Sequence, residues 1–448
     1  MLGSTEIQWV AWTSRGVGLS WFIGQAILAR ASRLLVLCAA FLGAAKCVAA
    51  EADALVVCPT EFRPALKEWE AFRATQGHTI KVVAPPATSQ QLQAVIRNVA
   101  RSGQLKYLLL IGDVPGARIP ASGAARITIP TNYLEAKVNV RFGSTPQIAS
   151  DIPYADIDGD NLPDLAIGRI PADTPAELAT VVRKSLRYEQ QREHGAWERR
   201  LNIASGKGGF GPVTDAIIEA AARQVITQNV PAEYETRHIF PQAAVKSAVL
   251  ASFAVQAQQQ LSEGSLAWVY LGHGQPTELD RVPTATGSES ILSVGDVPKL
   301  RCSGHSPLAV LVACYTGAID ASRDCLAEEL LMAEEGPVAV IAATRVSMPY
   351  GNTVLGCELL RACFRDRPEH LGDTLRLAEQ RTLTPSADDK LRASLDSMAA
   401  GISPPPVDLE TERREHVLMY HLLGDPLLHL RYPASSESKA VESERAGQ

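Results

Sequence analysis

The chain has 448 residues, 46% hydrophobic and 21% charged, enough apolar material for a full core, which excludes an intrinsically disordered or fibrous protein. Its length suggests two or three domains of about 150 residues, or one large α/β unit. The formal net charge of −6 is spread along the chain with no basic stripe, so no nucleic-acid partner is expected, and the eight cysteines show no CxxC spacing and are too few for a disulfide scaffold.

The first fifty residues differ from the rest. Arg30 and Arg33 precede the apolar run Leu34–Ala45, and Val48, Ala49 and Ala50 follow. A charged region, a short apolar region and small residues before a cut make a signal peptide ending at Ala50, with a long n-region from Met1 to Ala29. The run is too short to span a bilayer, and Lys46 before Cys47 speaks against a lipoprotein box. An uncleaved anchor is the alternative. Removal of residues 1–50 takes Arg15, Arg30, Arg33 and Lys46 against a single Glu6, so the remainder is more acidic. The protein is expected to be exported, to the periplasm or the outside, with no stable membrane span after processing. A cut after Ala50 leaves no room for a sizeable propeptide before the first strand, and no C-terminal secretion domain is expected after Tyr432.

From there, short apolar runs bounded by turns predict buried strands at 54–58, 79–83, 107–111, 165–167, 201–204, 266–271, 308–313 and 338–342. Helical stretches lie between them at 64–75, 89–102, 175–191, 214–228 and 325–334. Continuous apolar strands alternating with helices predict an α/β fold with parallel sheets flanked by helices. The pattern runs twice, changing near 195–200. The expected division is an N-terminal α/β subdomain over 51–195, a larger one beside it over 196–433, and a polar, disordered tail over 434–448.

The chemistry gathers at two strand ends. The run 266–271 leads into Gly272-His273-Gly274, and 307–312 leads into Ala313-Cys314-Tyr315-Thr316-Gly317. Ligands bind at the carboxyl ends of strands in open α/β sheets. If the two strands are parallel neighbours, His273 and Cys314 emerge side by side. An imidazole can then take the thiol proton or support the thiolate, and later protonate the leaving amine. Gly274 lets the backbone approach a substrate, and its N–H with that of Cys314 could cradle an oxyanion. Taken singly, each residue reads as a small buried hydrophobe or a structural hydrogen-bonder; it is the pair that points to catalysis. The glycines from Gly206 to Gly211 fail the Walker spacing, since Lys207 is followed by Gly208 rather than Ser or Thr.

These blocks resemble the cysteine peptidases of the caspase-like fold and, more closely, the catalytic domain of the gingipain family. The likeness runs from about Ala54 to Tyr432. It rests on YLLLIGD at 107–113, PDLAIGRIP at 163–171, KSLRYE at 184–189, LGHG at 271–274, VACYTG at 312–317, VAVIAAT at 338–344 and LGDP at 423–426. The resemblance implies an endopeptidase that works through a thioester acyl-enzyme, with Cys314 as nucleophile and His273 as acid/base. The basic-specific members hold a substrate Arg or Lys with an acidic residue in a helix, and Asp215 falls near that position. A carboxylate there suits a guanidinium or ammonium group; the alternative is an ordinary acidic residue in a helix's first turn. Where family members carry a Glu that supports the His, this chain has Lys207, which cannot accept an imidazole N–H. Asp113 and Asp280 are the carboxylates that could stand in, and Tyr350 lies near the segment expected to supply an aromatic lid.

A second candidate site is the acidic loop 156–164, in which Asp156, Asp158, Asp160 and Asp164 place oxygens at alternate positions. That pattern suits a structural calcium ion, although the twelfth position from Asp156 is Ile167 rather than the Glu of an EF-hand. A solvated acidic turn is the bland reading. His and Cys never cluster at zinc spacing, so no catalytic metal is expected.

Three functions follow from the sequence. The first is an exported, monomeric cysteine endopeptidase that cuts protein or peptide substrates after Arg or Lys. The second is a catalytically impaired, peptide-binding relative, which Lys207 keeps open. The third is a thiol transpeptidase, because an amine can resolve an acyl-enzyme as water does.

Overall fold

The computed structural model describes residues 51–115, 128–206, 208, 211–241, 252–284, 287–302 and 304–433. The predicted leader over 1–50, Lys207 and the tail over 434–448 lie outside the described residues. Ten strands share one sheet: β1 Ala54–Val57, β2 Ile80–Val83, β3 Tyr107–Ile111, β4 Ala166–Ile170, β5 Arg200–Ser205, β6 Glu235–Ile239, β7 Ala267–Leu271, β8 Leu308–Val312, β9 Ala339–Ala343 and β10 Tyr420–Leu423. Their order across the sheet is β2-β1-β3-β4-β10-β9-β8-β7-β5-β6.

Every neighbouring pair is parallel except β9 and β10. The sheet is therefore two parallel blocks joined through β10, which meets β9 at the one antiparallel seam. Strands β1 to β4 make the first block and β5 to β9 the second. β10 meets β4 of the first block at a single residue pair, Leu423 with Arg169.

Both faces of the sheet are covered, which is why its strands read as unbroken apolar runs. On one face Val56, Leu109, Trp268, Leu311 and Val340 pack with residues of four helices: α1 (Arg63–Thr75), α3 (Pro175–Gln190), α5 (Phe253–Ser262) and α6 (Leu326–Met332). On the other face Leu55, Leu108 and Leu110 pack on α2 (Ser89–Ala100). There too Ile203, Val269, Val310 and Ile341 meet α7 (Pro349–Arg361) and α8 (Leu371–Leu383). α4 (Pro212–Asn229), α9 (Lys390–Ile402) and α10 (Leu409–Met419) complete the described helices, with Ala221, Val225, Leu391 and Leu395 packing against α7.

Local signals fix several elements. Thr174 caps α3 with Glu177 in a reciprocal capping box, and Pro175 opens its first turn. Buried charges then tie elements together. Lys184 of α3 donates to the carbonyls of Leu331 and Ala333 at 2.5 and 2.7 Å, where the dipole of α6 favours a cation. Arg169 of β4 makes a two-pronged bond to Asp151, with Nε–Oδ2 2.7 Å and Nη2–Oδ1 2.9 Å, which holds that carboxyl below its usual range. Among the described residues no helix is long and apolar enough to cross a membrane.

Candidate active site

Register brings the two strand ends together. Leu271 of β7 pairs with Val312 of β8, and His273 and Cys314 each stand two residues further on. The side-by-side emergence expected from the sequence is therefore a matter of equal offsets. Both residues line one cavity of about 950 Å³, together with Ser205 and Gly206 at the end of β5, Glu219 of α4 and the segment Val346–Pro349.

The backbone of His273 is pinned. Its carbonyl accepts the Tyr270 hydroxyl at 3.1 Å and the Asp280 N–H at 3.0 Å. Gly274 then turns into a short hairpin against the cysteine segment. A Cβ on Gly274 would meet Thr316 Cγ2 at 2.7 Å and both Ala313 Cβ and the Cys314 carbonyl oxygen at 2.9 Å, so only glycine fits. Its closeness to Cys314 is what a shared pair of backbone donors requires.

Cys314 differs from the other described cysteines. Cys58, Cys302, Cys325, Cys357 and Cys363 are buried, while Cys314 is partly exposed. Burial pushes the thiols of Cys302 and Cys357 up to about 12 and about 11. The Cys314 sulfur instead accepts the Ser347 N–H at 3.4 Å and its thiol donates to the Ser347 carbonyl at 3.6 Å. Tyr315, directly after it, is a non-glycine residue at φ 58°. Such backbone is sparsely populated and persists where neighbours enforce it; here the Tyr315 N–H donates to Arg345 O and its hydroxyl accepts from Thr145 N, both at 3.1 Å.

The segment carrying Ser347 is itself braced. Ser347 Oγ accepts from Asn352 Nδ2 at 3.0 Å, and Asn352 Oδ1 accepts from the Tyr420 hydroxyl at 2.7 Å. Met348 N–H donates to His416 Nε2 at 2.8 Å. Burial pushes the His416 pKa down to about 4, so the ring is neutral and can accept there. Gly351 N–H donates to Glu412, whose carboxyl burial pushes up to about 7.

Of the two carboxylates that could support His273, Asp280 is the one whose backbone bonds it directly. Asp280 lies beside the dyad: its N–H holds His273, and its carboxylate oxygen is 3.5 Å from where a Gly206 Cβ would stand. Asp113 follows β3, and its carbonyl accepts the Ile129 N–H at 2.8 Å. Asp215 lies near the start of α4, its side chain outside the described residues. Glu219, one turn later, is the carboxylate that lines the cavity, and it pairs with Arg223 at 2.5 Å. The sequence reading missed it; its i+4 spacing from Asp215 on one helix was the available signal. Tyr350 does not line this cavity: its hydroxyl is taken by Asp396 and Arg413, both at 2.6 Å, so it cannot swing over the dyad as a lid. Aromatic walls come from Phe142, Tyr315, Phe240 and Phe364 instead.

In the acidic loop, carboxylate oxygens of Asp156, Asp158 and Asp164 lie within 4.8 Å of one another, without Asp160. Backbone amides already serve several of these oxygens: Gly159 and Asn161 donate to Asp156, Asp160 to Asp158, and Ile157 to Asp164. Asp160 receives the N–H of Leu162.

A sheet of this order with a Cys and a His on adjacent strand ends is the layout of a cysteine peptidase. The family signature described as Peptidase family C25 matches residues 48–431, and the chain belongs to that family, the gingipain-type cysteine peptidases. Gingipain R2 from Porphyromonas gingivalis is 25% identical over 309 residues, which is 65% of this chain and 36% of that protein. Lys-gingipain from the same organism is 22% identical over 304 residues, 65% of this chain and 15% of that protein. The chain thus spans about a third or less of the length of these relatives. The crystal structure of the Arg-specific cysteine proteinase gingipain R shares the fold, with a TM-score of 0.58 at 20% identity over 85% of this chain and 78% of that one.

Proposed function

We propose that the protein is an exported cysteine endopeptidase of gingipain type that cleaves after Arg or Lys. The observation that carries this reading is the equal offset of His273 and Cys314 from a paired register position, on one cavity. The Cys314 sulfur attacks the scissile carbonyl carbon. The N–H groups of Gly274 and Cys314 receive the developing oxyanion, and His273 protonates the departing amine, leaving a thioester. Water, activated by the same imidazole, releases the acid and restores the thiol. Asp280 is the residue suited to orient His273, given Lys207 at the family's acidic position.

The preference for a basic side chain rests on a carboxylate at the cavity wall, Glu219 with or in place of Asp215. The relatives with Arg- and Lys- in their names support the same preference. Peptide substrates with Arg, Lys or a neutral residue before the scissile bond test it. Cleavage after Arg or Lys by the parent and not by Cys314→Ala is the expected outcome. Transfer to an added amine would make it a transpeptidase, and peptide binding without turnover would make it an impaired relative. The acidic loop is proposed to hold structural calcium through Asp156, Asp158 and Asp164, with Asp160 as a further oxygen donor. A melting temperature that a calcium chelator leaves unchanged would contradict that part.

A further inference from the structure

Three histidines from distant parts of the chain meet at the edge formed by the amino ends of β1, β2 and β3. His78 lies between α1 and β2, His370 caps α8, and His429 follows β10. The Nε2 atoms of His78 and His370 face each other at 3.2 Å. The His429 ring stacks edge-on against His370 with centroids 4.6 Å apart. One ligand atom from each of Glu369, His370 and His429 falls within 4.8 Å of the others.

Proton accounting shows what this cluster lacks when each ring carries one proton. His78 Nδ1 lies 2.8 Å from Asp53 Oδ2. A carboxylate only accepts, so Nδ1 carries the proton, which in a singly protonated ring leaves Nε2 as a lone pair. The Tyr107 hydroxyl donates to Asp373 at 2.9 Å, so its oxygen is free to accept from His370 Nδ1, also at 2.9 Å. That again leaves Nε2 as a lone pair. Two lone pairs thus point at each other at hydrogen-bond distance. His429 Nε2, buried, has no hydrogen-bond partner. The arrangement needs either a shared proton or a cation among these nitrogens.

The geometry points to a cation. We propose that Glu369, His370 and His429, whose ligand atoms already cluster, hold one divalent transition-metal ion of the zinc class, with His78 Nε2, 3.2 Å from His370 Nε2, closing in as the fourth donor. Neutral imidazoles with a carboxylate are a borderline-soft donor set suited to such ions. Metal–nitrogen bonds of 2.0–2.1 Å at a tetrahedral angle set neighbouring nitrogens about 3.3 Å apart, close to the His78–His370 distance. Asp53 behind His78 and the Tyr107–Asp373 pair behind His370 are the outer hydrogen bonds that orient metal-bound imidazoles. With four protein ligands the ion has no open position for chemistry, so the site is a staple. It fastens the α1–β2 connection of the first half to the segment that closes the chain after β10.

The test uses the full chain carrying Cys314→Ala, so that the candidate dyad cannot bind metal. The metal-free protein is titrated with Co²⁺ and Zn²⁺ and compared with His78→Gln, His429→Gln and Asp53→Asn. Expected are one equivalent of metal, an intense tetrahedral cobalt spectrum without a sulfur band, and a zinc-dependent rise of several degrees in melting temperature. Asp53→Asn should weaken binding by about 10–100-fold, and the two His variants should weaken it further. In EDTA all variants should melt within about a degree of the parent, which shows that they fold. Under a tenth of an equivalent bound, or binding indifferent to the His variants, would overturn the proposal. So would His variants that melt lower in EDTA and gain nothing further from zinc, which is the signature of a shared proton.

Discussion

Cys58 and Cys314 each stand just past the carboxyl end of a buried parallel strand, one in each half of the sheet. Cys58 is fully buried, its thiol donates to the Pro59 carbonyl at 3.3 Å, and burial pushes its pKa up to about 12. Cys314 is partly exposed, accepts the Ser347 N–H, and is followed by a left-handed residue. Residue type and strand position are the same in the two places. What differs is the neighbouring strand end, which brings a histidine abreast only at Cys314, and the glycine that lets that strand end come close. The first half uses its buried polar groups for architecture, as in Arg169–Asp151, while the second arranges them around an open cavity.

That contrast can be broken experimentally, beginning with the largest effect. Cys314→Ala should lower kcat/KM for Arg or Lys peptides by at least about 10⁴-fold, whereas Cys58→Ala should leave it within about twofold and cost only about 1 kcal/mol of stability. Equal losses from both would dissolve the distinction. Arg169→Met strands the Asp151 carboxylate in the core and should cost about 3–5 kcal/mol in urea unfolding. Gly274→Ala forces the hairpin away from Cys314 and should lower kcat by about 10²–10³-fold, with alkylation of Cys314 retained.

A smaller effect concerns the brace behind Ser347. The Glu412 carboxyl is raised from 4.5 to about 7 in the fold, so the folded chain holds a proton that the unfolded chain has released. Its stabilising contribution is full below about pH 4.5 and is lost as pH rises through about 7. Glu412→Gln keeps an acceptor for the Gly351 N–H without the buried charge. Its stability advantage over the parent should therefore grow from near zero at pH 4.5 to about 2–3 kcal/mol at pH 8. A difference that stays flat with pH would refute this account of the brace.

The strands were legible because parallel strands covered on both faces are continuous apolar runs, as in YLLLI at 107–111. The dyad was legible because each member sits at the end of such a run. The antiparallel seam was not, since strand direction is decided by pairing between segments about eighty residues apart. β10, only four residues long and carrying His421, gives no run to recognise. Glu219 was hidden because a carboxylate on an ordinary helix turns functional only when that helix closes over a cavity. The orientation of Tyr350 was not legible because its partners, Asp396 and Arg413, lie on two later helices. The histidines at 78, 370 and 429 have no common spacing at all; the fold alone assembles them.

The most direct test of the central claim is alkylation of the native protein with iodoacetamide, followed by peptide mapping and by activity on Arg and Lys peptides in the same samples. The account predicts a single label, at Cys314, with activity falling in proportion to it while Cys58 and the other buried thiols stay unmodified. Full labelling of Cys314 with peptidase activity intact would contradict it.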